Sequence, residues 1–332
     1  MDLTRQSGQQ IPFTGPLFLI GMPRSGTKLL LALLNQSPRV AISTLETDFL
    51  PYWIENWRSY GDLSDRSTFA RFYNEATKLP YFANLASRDR GVGEQDWYRS
   101  CRDYSVAGVF EALIRLEVAA PPETDTIWGD KSPSYTRHVE LLNSLFPEAR
   151  FVHIVRDVRD YCLSINKAWG KNMIRAAQRW SDDVANARQV GNRLGNNYIE
   201  VRYEDLLADP RSTVERICAT LGIDFDEDMT RLSRPTEVVG DARGAEIKRD
   251  NVEKYAHQLD PATRRKIEAI AGELLESFGY PVERSGSTVR VGGMRMKYFQ
   301  LADAIYLFRH SVSEYGFFGA IKLNVRSLLI RR

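Results

Sequence analysis

Leu17-Phe-Leu-Ile-Gly-Met-Pro-Arg-Ser-Gly-Thr-Lys-Leu-Leu-Leu31 is an apolar run, a short turn with two glycines, and the opening of a helical pattern. A strand, a glycine-bearing turn and a helix N-terminus together present backbone N–H groups to an anion, as phosphate-cradling loops do. Gly21 and Gly26 allow close backbone approach, while Arg24 and Lys28 add positive charge. The stretch nearly matches the nucleotide-binding pattern G-x-x-x-x-G-K-[ST], but Thr27 precedes Lys28. That reversed order puts the usual Mg²⁺ arrangement in doubt and favours another phosphate-like ligand.

Strand and helix patterns alternate around this loop. Val40–Ser43, Thr126–Lys131, Phe151–Val155 and Tyr198–Arg202 read as strands. Helices are expected at Leu29–Leu34, Pro133–Phe146, 157–169, 173–194 and from Tyr203 onward. Such alternation predicts an α/β fold of three layers with a mainly parallel central sheet, binding its ligand at the carboxyl ends of the strands. Gly21–Lys28, Asp130–Lys131 and Arg156 all fall at such ends. Ser164 follows Arg156 by about two helical turns, so a helix packed beside the sheet places both near one phosphate.

Pro23-Arg-Ser-Gly-Thr27 and Arg156…Ser164 resemble, in order and internal spacing, two motifs of the sulfotransferases that use 3′-phosphoadenosine 5′-phosphosulfate (PAPS). The style is nearest to the protein-tyrosine, carbohydrate and bacterial branches. The resemblance implies that Arg24, Ser25, Gly26, Thr27 and Lys28 hold the 5′-phosphosulfate and that Arg156 and Ser164 hold the 3′-phosphate. Lys28 departs from the hydroxyl usual there, so it either supplies charge or points to solvent. Lys131, in Gly129-Asp-Lys-Ser-Pro133, matches a family lysine that contacts the sulfuryl oxygens. Glu46, in Ser43-Thr-Leu-Glu-Thr-Asp48, nearly aligns with a family base, with Asp48 as its rival. Tyr203 matches a residue of the adenine site. Lys254, before Tyr255, resembles a late donor-binding lysine, with Lys248 and Arg249 as alternatives. The catalytic set is thus Glu46, Lys131 and Arg24, acting by in-line transfer to an acceptor hydroxyl or amine. The acceptor class, whether carbohydrate, glycolipid, peptide tyrosine or small metabolite, stays open.

The chain has 332 residues and a net charge of +2, too little for general nucleic-acid binding. Three scattered cysteines and four histidines offer neither a disulfide framework nor a paired metal motif, so no metal is expected. Residues 15–284 are expected to form the catalytic domain, with 49–120 a helical, aromatic-rich lid. Residues 285–332 form a basic amphipathic extension with eight Lys/Arg against two Asp/Glu. That extension suits peripheral contact with an anionic membrane, packing on its own domain, or dimerisation. With no apolar segment in Met1–Gly15, the chain is expected to be cytoplasmic, and its basic extension suits a peripheral station at the inner membrane surface. Two other readings stand beside sulfuryl transfer: a P-loop kinase or ATPase, and a non-catalytic nucleotide-binding protein at a membrane.

Overall fold

Buried parallel strands are built from near-continuous apolar runs, and Leu17–Ile20, with all four residues buried, is the innermost of five. In the computed structural model, which describes residues 12–236, 246–283, 288–309 and 312, the strands are β1 (Leu17–Ile20), β2 (Val40–Ile42), β3 (Ile127–Lys131), β4 (Arg150–Val155) and β5 (Tyr198–Arg202). They form one sheet of order β2-β3-β1-β4-β5, parallel throughout. Side chains alternate across it. Phe18, Ile20, Trp128 and Phe151 enter the core on one face; Leu17, Leu19, Ile127, Val152 and Ile154 enter the core on the other. Helices cover both faces, giving the expected three layers.

The face bearing Leu17 and Leu19 packs against α1 (Thr27–Leu34), whose leucines are buried, and against the helix Pro210–Leu221. The opposite face meets the segment between β2 and β3, which folds into helices with no strand. Its aromatics interlock: Trp53 stacks on Trp97 at 6.2 Å between ring centres, and Phe69 and Phe72 both meet Trp97 edge-on or tilted. Trp53, Phe69, Phe72, Tyr81, Phe82 and Trp97 are buried, so these side chains build a core before they line anything. A third core joins the helices Val158–Trp169, Met173–Leu194 and Pro261–Ser277.

The expected helix Pro133–Phe146 is instead two pieces, a 3₁₀ turn Pro133–Arg137 and a helix Val139–Leu145, hinged at His138 (φ −117°). The break frees Thr136 Oγ1 to receive the Gly21 N–H at 2.9 Å, so the tight turn is pinned to the phosphate loop. Of the 285–332 extension, residues 293–309 are helical; Phe317, Phe318 and Leu328 lie outside the described residues.

Candidate active site

The loop after β1 is held by its own backbone. Gly21 (φ +153°) lies where a Cβ would sit 2.4 Å from the Ile154 carbonyl oxygen, so only glycine lets β1 and β4 close there. Gly26 (φ +95°) is the N-cap of α1, and a Cβ on it would meet the Tyr203 ring at 2.3 Å. Among the described residues no side chain caps α1, whose N-terminus is the end that favours an anion. Ser25 is buried and its hydroxyl has no hydrogen-bond partner among the described residues. Thr27 is buried and Lys28 exposed.

Arg24 adopts φ +71°, unusual for a residue with a side chain, and this orientation joins three anchors. Its Nε donates to Ser164 Oγ at 3.3 Å, while its carbonyl accepts from the Arg156 guanidinium at 3.1 Å. The expected Arg156–Ser164 pair is therefore linked through Arg24. Arg156 donates a second bond, at 3.1 Å, to the Asn251 carbonyl and lies 4.7 Å over the Tyr203 ring. Asn251 Nδ2 donates to the Tyr203 hydroxyl at 2.7 Å. The segment before Tyr255 thus closes over the loop, and Lys254 caps its short helix near Asp160. Burial raises the Asp160 carboxyl, against the opposing pull of Arg156 and the Tyr255 N–H. Arg156 is almost fully buried, yet its Nε has no partner among the described residues.

Across the edge, β3 carries Lys131 in register with Leu19, two residues before Gly21. Lys131 Nζ contacts Glu46 Oε1 at 2.6 Å; the lysine is 1% exposed, whereas the glutamate side chain is 40% exposed. A buried cation is thereby paired with a carboxylate that still faces solvent. Asp48, on a positive-φ residue, hydrogen-bonds Ser134, and burial raises its carboxyl. Ser132 Oγ receives the Thr47 N–H at 3.0 Å, and Thr47 Oγ1 lies 2.5 Å from the Tyr135 hydroxyl. These bonds hold the Glu46–Asp48 segment against the end of β3. Beneath them Asp130 is fully buried, and among the described residues neither carboxylate oxygen has a well-formed hydrogen bond, although the Ser132 and Thr47 hydroxyls stand near enough to favour its charge. Burial pushes its carboxyl up to about 7, and Asp48 adds repulsion.

The profile of the sulfotransferase family matches residues 16–227, a span that includes the loop, Glu46, Lys131, Arg156, Ser164 and Tyr203. The chain belongs to the sulfotransferase family. It is 26% identical over 208 residues to the omega-hydroxy-beta-dihydromenaquinone-9 sulfotransferase Stf3 of Mycobacterium tuberculosis, covering 52% of this chain and 50% of that protein. The nodulation protein NoeE of Sinorhizobium fredii is 24% identical over 231 residues, 62% of this chain and 50% of that one. The chain thus spans about half the length of the curated relatives it matches. Among solved structures, the sulfotransferase domain of the Synechococcus PCC 7002 olefin synthase shares the fold. Its TM-score is 0.55 at 24% identity, over 83% of this chain and 98% of that one.

Of the residues singled out from the sulfotransferase motifs, Arg24, Ser164, Arg156 and Tyr203 form one contiguous group, and Glu46 and Lys131 a second. Sequence reasoning missed Asn251, Ser132, Thr136 and the burial of Asp130. Ser132 and Thr136 left a faint signal in Lys131-Ser-Pro, where a strand end runs into a proline-opened turn. Among the described residues, no cluster of His, Cys, Asp and Glu is arranged to hold a metal, and no helix is long and apolar enough to cross a membrane.

Proposed function

We propose that the protein transfers a sulfuryl group from PAPS to an acceptor hydroxyl, with Glu46 as base and Lys131 as the cation facing the transferred group. The observation that carries this reading is the 2.6 Å Lys131–Glu46 pair at the same strand edge as the uncapped, arginine-flanked loop. The fit to an anionic nucleotide rests on two buried donors unpaired among the described residues, Ser25 Oγ and Arg156 Nε, beside the N-terminus of α1. When bound, the donor supplies a sulfuryl group on a phosphate leaving group.

Each residue then has one task. Arg24, with Ser25, Gly26, Thr27 and Lys28, holds the leaving phosphate; Arg156 and Ser164 hold the 3′-phosphate. Tyr203 flanks the adenine ring, and Lys254 approaches from the closing segment. Lys131 stands where oxygen charge develops, the kind of placement that usually contributes most to transfer reactions. Glu46, paired on one oxygen and open to solvent, takes the acceptor proton. Residues 15–284 act as the catalytic domain, with helices of 49–120 closing over the acceptor. The Mycobacterium relative is named for sulfation of a hydroxylated menaquinone, which supports an alcohol on a lipid-like molecule as the first acceptor class to screen. A basic extension that reaches an anionic membrane from the cytoplasmic side would serve such an acceptor.

Calorimetric titration tests the donor site, using 3′-phosphoadenosine 5′-phosphate (PAP) with ATP and AMP as comparisons, with and without Mg²⁺. Tight, metal-independent binding that requires the 3′-phosphate is expected. Preference for ATP with Mg²⁺ would overturn this reading in favour of a kinase, and PAP binding without transfer to any alcohol would favour a non-catalytic nucleotide-binding protein.

A further inference from the structure

Surface helices normally turn their apolar side inward, but residues 293–309 combine a polar inner anchor with an apolar outer stripe. Asp303 is buried: it accepts the Asn172 N–H at 2.8 Å and an ion pair from Arg175 at 2.8 Å. Tyr306 lies against the backbone of Gly170, where a Cβ would have no room. With Asp303 beneath, Met294, Tyr298, Leu301 and Ile305 face outward at 89%, 68%, 62% and 50% exposure. Their spacing of four, three and four residues places them within about 60° of one another around the helix. The same wheel puts Lys297 on one side of the stripe and Arg295 and Arg309 on the other. Asp303 is the only acid among residues 288–309 and is consumed by Arg175, so the exposed charge of this helix is wholly positive. Trp169, 37% exposed, adjoins Gly170 at the end of the helix that begins beside Arg156.

We propose that residues 293–309 dock on an anionic phospholipid surface, the apolar stripe entering the interface and Arg295, Lys297 and Arg309 meeting headgroups. This deepens the membrane element of the proposed function but depends on no catalytic step. The occupant follows from charge and chemistry together: an apolar stripe edged by cations, with no exposed acid, complements a hydrocarbon boundary under a negative surface. Beyond Arg309 the sequence stays basic on balance, with Lys322, Arg326, Arg331 and Arg332 against one acid, Glu314, among Phe317, Phe318 and leucines.

The test is co-sedimentation of the full chain with vesicles of phosphatidylcholine alone or with phosphatidylglycerol, at low and high salt, with PAP titration as an independent check of the donor site. Binding to the anionic vesicles is expected, weakening with salt and falling about fivefold for each basic side chain neutralised among Arg295, Lys297 and Arg309. The double variant Leu301→Asp/Ile305→Asp, altered only at exposed positions, should lose roughly tenfold or more in partitioning while keeping its melting temperature and PAP binding. Equal binding by the double variant would overturn the proposal. So would failure of the native chain to bind anionic vesicles, or a dimer that the double variant dissociates. Loss of PAP binding alone would count against the donor site and leave vesicle docking intact.

Discussion

Replacing Asp130 with asparagine should make the protein more stable, and increasingly so as the pH rises. The fold buries this carboxyl completely and, among the described residues, gives neither oxygen a well-formed hydrogen bond, so its charged form is disfavoured. Burial pushes the group up to about 7 from 3.8, with Asp48 opposing ionisation and Ser132, Thr47 and Lys131 favouring it. The folded state therefore holds the proton more tightly than the unfolded chain. The contribution of Asp130 to stability is most favourable below 3.8 and falls as pH climbs through the window up to about 7. At about 1.4 kcal/mol per pKa unit, the cost is on the order of 4 kcal/mol at pH 8 and about 2 kcal/mol at pH 5. Asparagine has the same shape, remains neutral, and finds the hydroxyls of Ser132 and Thr47 as acceptors. Urea unfolding followed by tryptophan fluorescence at pH 5, 6, 7 and 8 should show the advantage of Asp130→Asn growing by about 2 to 3 kcal/mol across the series. A difference that stays constant to within about 0.5 kcal/mol would show that Asp130 does not titrate in this window, and the burial argument would fail.

Three further substitutions probe the site. Glu46→Gln should leave PAP affinity within about twofold and reduce turnover by roughly 10²- to 10⁴-fold; unchanged turnover would move the base to Asp48 or elsewhere. Arg156→Ala removes the guanidinium that ties Arg24, Asn251 and Tyr203 together, and calorimetry should show PAP binding weakened by roughly 10- to 100-fold. Gly26→Ala drives a methyl into the Tyr203 ring at a positive φ, so thermal unfolding should show a loss of about 1 to 3 kcal/mol or more, together with weaker PAP binding. Retention of native stability would mean the loop relaxes away from Tyr203.

The parts of the site that could be read from the chain alone are those whose chemistry is local. The strand, glycine turn and helix of Leu17–Leu34 lie within a few residues of one another, and Arg156 announces itself by ending an apolar run. Glu46 and Lys131 are 85 residues apart, and nothing in either stretch fixes their contact; it arises because β2 pairs with β3, bringing Ile42 beside Gly129. Asp130 is legible as part of the strand Thr126–Lys131, but its complete burial is not. That burial follows from the place of β3 between β2 and β1, which no local pattern in Gly129-Asp-Lys-Ser-Pro133 fixes. Asn251 carries no motif, and its role follows only from the closing segment's path over Tyr203.

Asp303 makes the same point outside the site. Nothing in the sequence of the basic extension marks Asp303, one of its two acids, as a buried anchor. The Asn172 N–H and Arg175 offer an acid two charge-assisted bonds that no apolar side chain would satisfy. Once Asp303 occupies that anchor, helix geometry leaves Met294, Tyr298, Leu301 and Ile305 turned outward. An exposed apolar stripe is therefore the consequence of a satisfied ion pair, and the charges that flank it decide what kind of surface it meets.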